Sequence, residues 1–342
     1  MDKLIDASAA RIFSAHSDNA IALWSALEES ELTKAWIPQS MGGAGLSVTD
    51  VFGLMRLSGN AVQSVPFTET LLASYLLSSV GLPTPAGPVS IASTPDIARY
   101  SESDSYDIAN NGSTGNAINI ANSIEVPFGN TVDYVTAMTG NKSVSLFRVT
   151  DPHPVSSVGS NPLYTVSLDT VEPESTAAVP DGFSFEIFGR TGALARAAQM
   201  CGAMDAIVDL TLTHTATREQ FGRPLAKFQA VQHLLAEIAG EAAASSAIVD
   251  AAVEAFEQLN RPDFRTTASA KARTSEAAGI IAANAHQAHG AIGYTLEYAL
   301  STYTRRLWRW REEFGNETQW ALALGKDYLR ADAGTLTEEF LV

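Results

Sequence analysis

The sequence predicts an α+β protein with an N-terminal helical domain, a small middle antiparallel β-domain and a C-terminal four-helix bundle, divided at 1–85, 86–187 and 188–342. Three observations predict it. Apolar residues at spacings of three and four fill the first 85 residues, the signature of helices with one buried face. A tract rich in Pro, Gly, Ser, Thr and Asn then interrupts them and reads as short strands between turns. Beyond it, long alanine-rich stretches return, and alanine permits the close helix approach of a bundle.

The elements follow in order. Helices are predicted over 3–16, 19–30, 48–60 and 66–80. The glycines of 41–46 break the pattern between the second and third, and Ser47 or Thr49 is placed to cap the third. Strands are predicted over 118–126, 132–138, 143–149, 164–168 and 183–187. Long helices are predicted over 191–217, 228–259 and 267–288, punctuated by Pro224 and Pro262. The last segment, 296–332, carries Arg305, Arg306, Arg309, Arg311 and three tryptophans.

Charge and composition exclude several function classes. The formal charge is −16, whereas a nucleic-acid surface needs a basic face. No run of apolar residues is long enough to span a membrane. One cysteine, Cys201, excludes an internal disulfide or a cysteine zinc site and fits a reducing cytosol. The N-terminus shows no apolar stretch of signal-peptide type, so a cytoplasmic protein is expected. Only 18% of residues are charged, so broad faces are expected to be buried against partners. His286 and His289, at i and i+3, have no third ligand in sequence and make a poor metal site. The glycines at 42, 43 and 45 follow no strand, so they are not a dinucleotide fingerprint.

Two segments carry specific chemistry: Arg218-Glu219-Gln220-Phe221-Gly222-Arg223-Pro224-Leu225 running on to Gln229, and Gln287-Ala288-His289-Gly290-Ala291-Ile292-Gly293-Tyr294. With the turn at Pro38–Gly45, they closely resemble the acyl-CoA dehydrogenase family, whose members show R-x-x-F-G-x-P-L-x-x-x-Q and Q-x-x-G-G-x-G-Y in this order. The resemblance implies a flavoprotein with FAD at a subunit interface. Arg218 would meet the pyrophosphate as a cationic fork. Phe221 and Leu225 would line the apolar part of the cleft, and Gln229 and Gln287 would offer amides. Gly290, Ala291 and Gly293 would let the backbone approach the cofactor.

The middle domain departs from the family. The stretches T-E-P-x-x-G-S-D and G-x-K-x-[WY]-I-[TS], which meet the flavin ring and the acyl-CoA, do not occur in it; 101–107 and 110–116 are the nearest segments and lack the pattern. The two family positions for the glutamate base fall on Phe314 and on Gly192. Glu313, one residue earlier, is the candidate catalytic carboxylate of this chain. What is kept is the cofactor half lent to a neighbour; what is missing is the half a subunit keeps for itself. That pattern is similar to the short subunits of heteromeric α2β2 acyl-CoA dehydrogenases of bacterial steroid catabolism. The resemblance therefore implies α,β-dehydrogenation of a CoA thioester, an electron-transfer flavoprotein as acceptor, and a second dehydrogenase subunit that holds the base. Two alternatives stay open: a self-sufficient homo-oligomer using Glu313, and a scaffold that has lost FAD.

Overall fold

The computed structural model describes residues 2–92, 124–139, 143–156, 162–167 and 171–330. The segments 101–107 and 110–116, and the first part of the 118–126 strand, lie outside the described residues.

Four helices open the chain: α1 (Lys3–Ala15), α2 (Ala20–Glu29), α3 (Val48–Asn60) and α4 (Phe67–Ser79). Local capping sets three of their starts. Asp2 accepts from the backbone of Leu4 and Ile5, Asn19 from Ile21 and Ala22, and the Ser47 hydroxyl from Asp50. Of the two candidate caps for α3, Ser47 is the one used. Helix α4 is buried on nearly every side, so it forms the axis of this region.

Among the described residues, seven short strands follow: β1 (Val89–Ile91), β2 (Ile124–Pro127), β3 (Tyr134–Thr139), β4 (Ser143–Arg148), β5 (His153–Ser156), β6 (Leu163–Val166) and β7 (Ser175–Ala178). They form two sheets, ordered β1-β3-β4-β7 and β2-β6-β5. Among the described residues, all pairings but one are antiparallel. The exception is β1, which runs parallel to β3 with Val89 opposite Tyr134. A parallel pair needs a crossover, and the chain makes it through β2 in the other sheet. Strand β4 is buried on both faces. Val144 and Leu146 join the main helical core, while Phe147 packs with Val135 and Val166 in a separate cluster.

The C-terminal region holds α5 (Phe185–Thr217), α6 (Gln229–Leu259), α7 (Phe264–His289), α8 (Ala299–Glu312) and α9 (Glu317–Arg330). The strand predicted over 183–187 is instead the start of α5. Ser184 caps it by accepting from the Ile187 backbone, which overrides the strand preference of Phe and Ile. Helix α5 is the hub, packing on α3, α6, α7 and α8. It crosses α3 backbone to backbone. A Cβ at Gly202 would lie 1.9 Å from the Arg56 carbonyl, and one at Gly59 would lie 2.0 Å from the Gln199 carbonyl. The Arg56 side chain reaches over this crossing to Asp205 (3.0 Å) and Ser246 (2.9 Å).

The 296–332 segment splits in two at Glu313–Asn316, where Phe314 (φ 55°) and Gly315 (φ 90°) turn the chain. The buried Lys271 ammonium holds this turn. It donates to the carbonyls of Trp310 (3.2 Å), Arg311 (2.7 Å) and Gly315 (2.7 Å), satisfying acceptors that a helix end leaves open. Burial pushes Lys271 down to about 7, against the pull of Glu313, Glu312 and Glu317. Among the described residues, no helix is long and apolar enough to cross a membrane.

Candidate functional site: a surface groove and a filled interior

At the outer end of the bundle, α5 stops at Thr217 and Arg218 caps it, its backbone amide donating to the His214 carbonyl at 2.9 Å. The chain then makes a tight hairpin of β8 (Glu219–Gln220) and β9 (Arg223–Pro224). Phe221 (φ 53°) and Gly222 (φ 77°) form its turn, both in the left-handed region that two-residue hairpins demand. The Phe221 side chain is 93% exposed at the tip. Its ring meets Phe228 edge-on, and the Arg223 guanidinium lies 4.2 Å from the Phe228 centroid.

Helix α7 ends beside this hairpin at His289, and Gly290 (φ 62°, ψ −144°) turns the chain into a short 3-10 helix. Such a φ is strained for any residue with a Cβ, and no atom lies within 4 Å of where that Cβ would be. Between these ends runs an open groove of about 360 Å³. Arg218, Gln220, Gln287, His214 and His289 give it polar groups; Leu225, Val231, Leu234 and Ala288 give it an apolar wall.

The motif residues take different places. Arg218, Leu225, Gln287 and Gly290 line the groove directly. Phe221 stands at the hairpin tip, Gln229 is the exposed first residue of α6, and Ala291 is exposed in the turn. Gly293 is buried beneath that turn. A Cβ there would lie 3.0 Å from the His289 Cβ and 3.1 Å from Leu300, so packing is what requires glycine at this position. His286 and His289 do not share a job. His286 shares a hydrogen bond with the Thr304 hydroxyl (3.0 Å) and stacks on Tyr294, whereas His289 donates from Nδ1 to the Ala285 carbonyl and stacks on His214. No cluster of three or more metal-ligating side chains occurs among the described residues. His214 is the groove residue that sequence reasoning missed. Four residues before Arg218 on one helix, it shares a face with that arginine, and this spacing is the signal that could have found it.

The inner end of the bundle is filled. Arg196 is fully buried, and its three guanidinium nitrogens donate to Glu313 Oε2 (2.7 Å), Gln199 Oε1 (2.5 Å) and Glu69 Oε1 (2.6 Å). The other Glu313 oxygen accepts from Arg309 at 2.8 Å. Burial pushes the Glu313 carboxyl up, but Arg196 and Arg309 outweigh it and hold Glu313 below the usual carboxylate range. Glu69 has one guanidinium against the same burial and lies above that range. Glu313 therefore stays ionised with both oxygens engaged.

Phe314 and Gly192, the two positions at which the resemblance implies a base, touch each other. A Cβ at Gly192 would lie 2.3 Å from Phe314 Cε1, so the phenyl ring occupies the space that a side chain at 192 would need. The ring is buried, meets Phe188 edge-on, and the Phe314 carbonyl accepts from the Trp320 indole at 2.9 Å. What remains open nearby is a cavity of about 10 Å³ among Ser58, Gln63, Glu69, Gln199 and Trp310, room for about one water.

Residues 190–317 match the family described as "Acyl-CoA dehydrogenase, C-terminal domain", a stretch from within α5 through α8 that includes every residue lining the groove. The chain thus resembles the acyl-CoA dehydrogenases, and relatives extend the likeness beyond that domain. Acyl-CoA dehydrogenase IpdE2 of Mycolicibacterium smegmatis is 27% identical over 271 residues, 79% of this chain and 76% of that protein. IpdE2 of Mycobacterium tuberculosis is 27% identical over 287 residues, 83% and 80% of the two chains. The fold matches the ChsE4-ChsE5 complex from Mycobacterium tuberculosis with a TM-score of 0.78 at 18% identity, covering 97% of this chain and 98% of that one. It matches a Tcur3481-Tcur3483 steroid ACAD variant with a TM-score of 0.75 at 21% identity, covering 94% and 96%. At these identities the two structures speak for the fold.

Proposed function

We propose that this chain is one subunit of a heteromeric FAD-dependent acyl-CoA dehydrogenase, lending the adenosine and pyrophosphate half of an interfacial FAD site to a partner dehydrogenase subunit. The reaction is α,β-dehydrogenation of a CoA thioester, with an electron-transfer flavoprotein as acceptor. The observation that carries the reading is the groove. A guanidinium, two amides and an open glycine turn stand beside an apolar wall, and that donor set suits a pyrophosphate joined to a flat, largely apolar base. Arg218 would hold the pyrophosphate, with Gln220 and Gln287 donating amide hydrogens beside it. Gly290 would admit the ligand to the backbone and Leu225 would line the apolar part. Phe221 at the exposed hairpin tip, Gln229 and Ala291 would meet the ligand at the edge of the groove. When bound, the flavin ring takes the hydride equivalent from the β-carbon of the thioester.

The filled interior supports the partner-dependent form of this reading. A base must present a free carboxylate oxygen to the α-proton, and Glu313 has neither oxygen free. Phe314 and Gly192 accept no proton. The base and the ring site are therefore assigned to the partner. Two fold neighbours support the same reading, one from the ChsE4-ChsE5 complex and one a Tcur3481-Tcur3483 steroid ACAD variant, so a steroid-derived acyl-CoA is the substrate class to try first.

The test is co-expression with a dehydrogenase gene that keeps the T-E-P and glutamate motifs. The proposal expects a stable complex that contains flavin and oxidises an acyl-CoA, with no turnover by this chain alone. Full turnover by the isolated chain would overturn it in favour of the self-sufficient form. A colourless complex would overturn it in favour of a scaffold.

A further inference from the structure

The groove holds a feature that neither the motif nor a structural role explains. His214 from α5 and His289 from α7 stack face to face, with centroids 4.4 Å apart and planes 21° from parallel. Both line the groove beside Arg218. We propose that this stacked pair makes flavin binding proton-coupled: a pyrophosphate seated on Arg218 draws one proton from solvent onto the His214 ring. This rests on the reading of the groove as an FAD half-site. The only bond made is N–H; the proton comes from water or buffer, and no other reactant is needed.

The geometry places the pair where a ligand's charge is felt. His214 lies one helical turn before Arg218, which caps the same helix. Behind it, His289 is anchored by its Nδ1 hydrogen bond to the Ala285 carbonyl (2.8 Å), which fixes the ring that His214 stacks on. His289 Nε2 is buried without a hydrogen-bond partner, so the pair has unused capacity for a proton. The other titratable neighbours are His286 on α7 and Tyr298, whose ring lies 6.3 Å from His214 and 5.2 Å from His289. Among the described residues, no carboxylate lines the groove.

Electrostatics set the sign. Burial, then His289, then Arg218 hold His214 below the usual imidazole range. Burial also lowers His289, against the pull of the Ala285 carbonyl. The free pair is therefore neutral at pH 7. A pyrophosphate diester brings two negative charges, cancels the repulsion from Arg218 and reverses the field at His214. A group whose affinity for protons rises on binding makes the ligand bind more tightly as pH falls, by up to about tenfold per pH unit for one proton.

The experiment is calorimetric titration of the flavin-free assembled complex with FAD at pH 6 and pH 8. The pyrophosphate of FAD is a diester with no group titrating in that range, so any change belongs to the protein. The expected result is about tenfold tighter binding at pH 6, with proton uptake seen as a dependence of the heat on buffer ionisation enthalpy. His214→Phe keeps a flat ring against His289 but takes no proton, and its affinity should change less than about twofold between the two pH values. His214→Gln is the second variant and should behave alike. Equal affinity of the natural complex at both pH values, or a pH dependence retained in complexes of both variants, overturns the coupling and leaves the groove as a flavin site. No FAD binding by the natural complex at either pH overturns the coupling together with the reading it rests on.

Discussion

Two arginines, one at each end of the bundle, show how this chain divides its charge. Arg196 is sealed inside with two carboxylates and an amide on its three nitrogens. Arg218 is exposed at the end of the same helix, and among the described residues no carboxylate is within salt-bridge distance of it. Two phenylalanines repeat the contrast. Phe314 and Phe221 both adopt a left-handed backbone that bulky residues rarely take, at φ 55° and 53°. Phe314 is buried against Gly192, while Phe221 stands in the open. The Arg196 cluster has its charged groups engaged with one another and is a structural core. The groove leaves its groups free, as a binding surface must until a ligand arrives. The residues that would do chemistry alone are satisfied, and those that would hold a shared cofactor are not.

The largest effect should come from breaking the satisfied side. Arg196→Ala would leave Glu69 and Glu313 buried with their shared cation gone, a loss of about 3–5 kcal/mol. Urea unfolding measures it; a loss under about 1 kcal/mol would show that water reaches this cluster. Next in size is Gly192→Ala. The added methyl meets the Phe314 ring and should cost about 1–3 kcal/mol, and Phe314→Leu in the same chain should recover part of it. Additive losses in that double-mutant cycle would separate the two positions and reopen the interior as a cavity.

Much of this contrast was legible in the sequence. Apolar spacing placed α1 to α4 within about a residue or two, and β3 and β4 stood out as short β-rich runs between turns. Residues 218–229 and 287–293 were recognisable because they keep fixed residues at the local spacing of a family motif. The failures are those of distance and context. Ser184 converts a strand-like Phe-Ile stretch into a helix start, a capping choice that propensity alone does not decide. The parallel β1–β3 pair depends on a crossover through another sheet, which short-range pattern does not record. Glu69 and Arg196 are 127 residues apart, so no spacing rule joins them. Counting alone reached Phe314 and Gly192 as separate positions; only the fold shows that one fills the space of the other.

The smallest effect belongs to Glu313. In the assembled complex, Glu313→Gln should change the turnover rate by less than about tenfold, whereas loss of a true base would cost several orders of magnitude. A larger drop would make Glu313 catalytic despite its two arginines. The same variant has a pH signature. Arg196 and Arg309 hold the folded carboxyl below the ordinary value of 4.5, so its contribution to stability is complete above that value and is lost as pH falls through the lower folded one. Unfolding midpoints of Glu313→Gln should fall less than those of the natural chain on acidification below about pH 4.5. Parallel acid profiles would show that Glu313 carries no such linkage.

The central claim is that the free arginine, and not the satisfied one, serves the cofactor. It is tested most directly by the flavin affinity of the assembled complex carrying Arg218→Ala. Loss of a charge-assisted contact to the pyrophosphate should weaken FAD by about ten- to a hundred-fold, while the thermal midpoint of the flavin-free protein stays unchanged because Arg218 is exposed. Unchanged flavin affinity in that complex would contradict the account and leave the groove without a cofactor role.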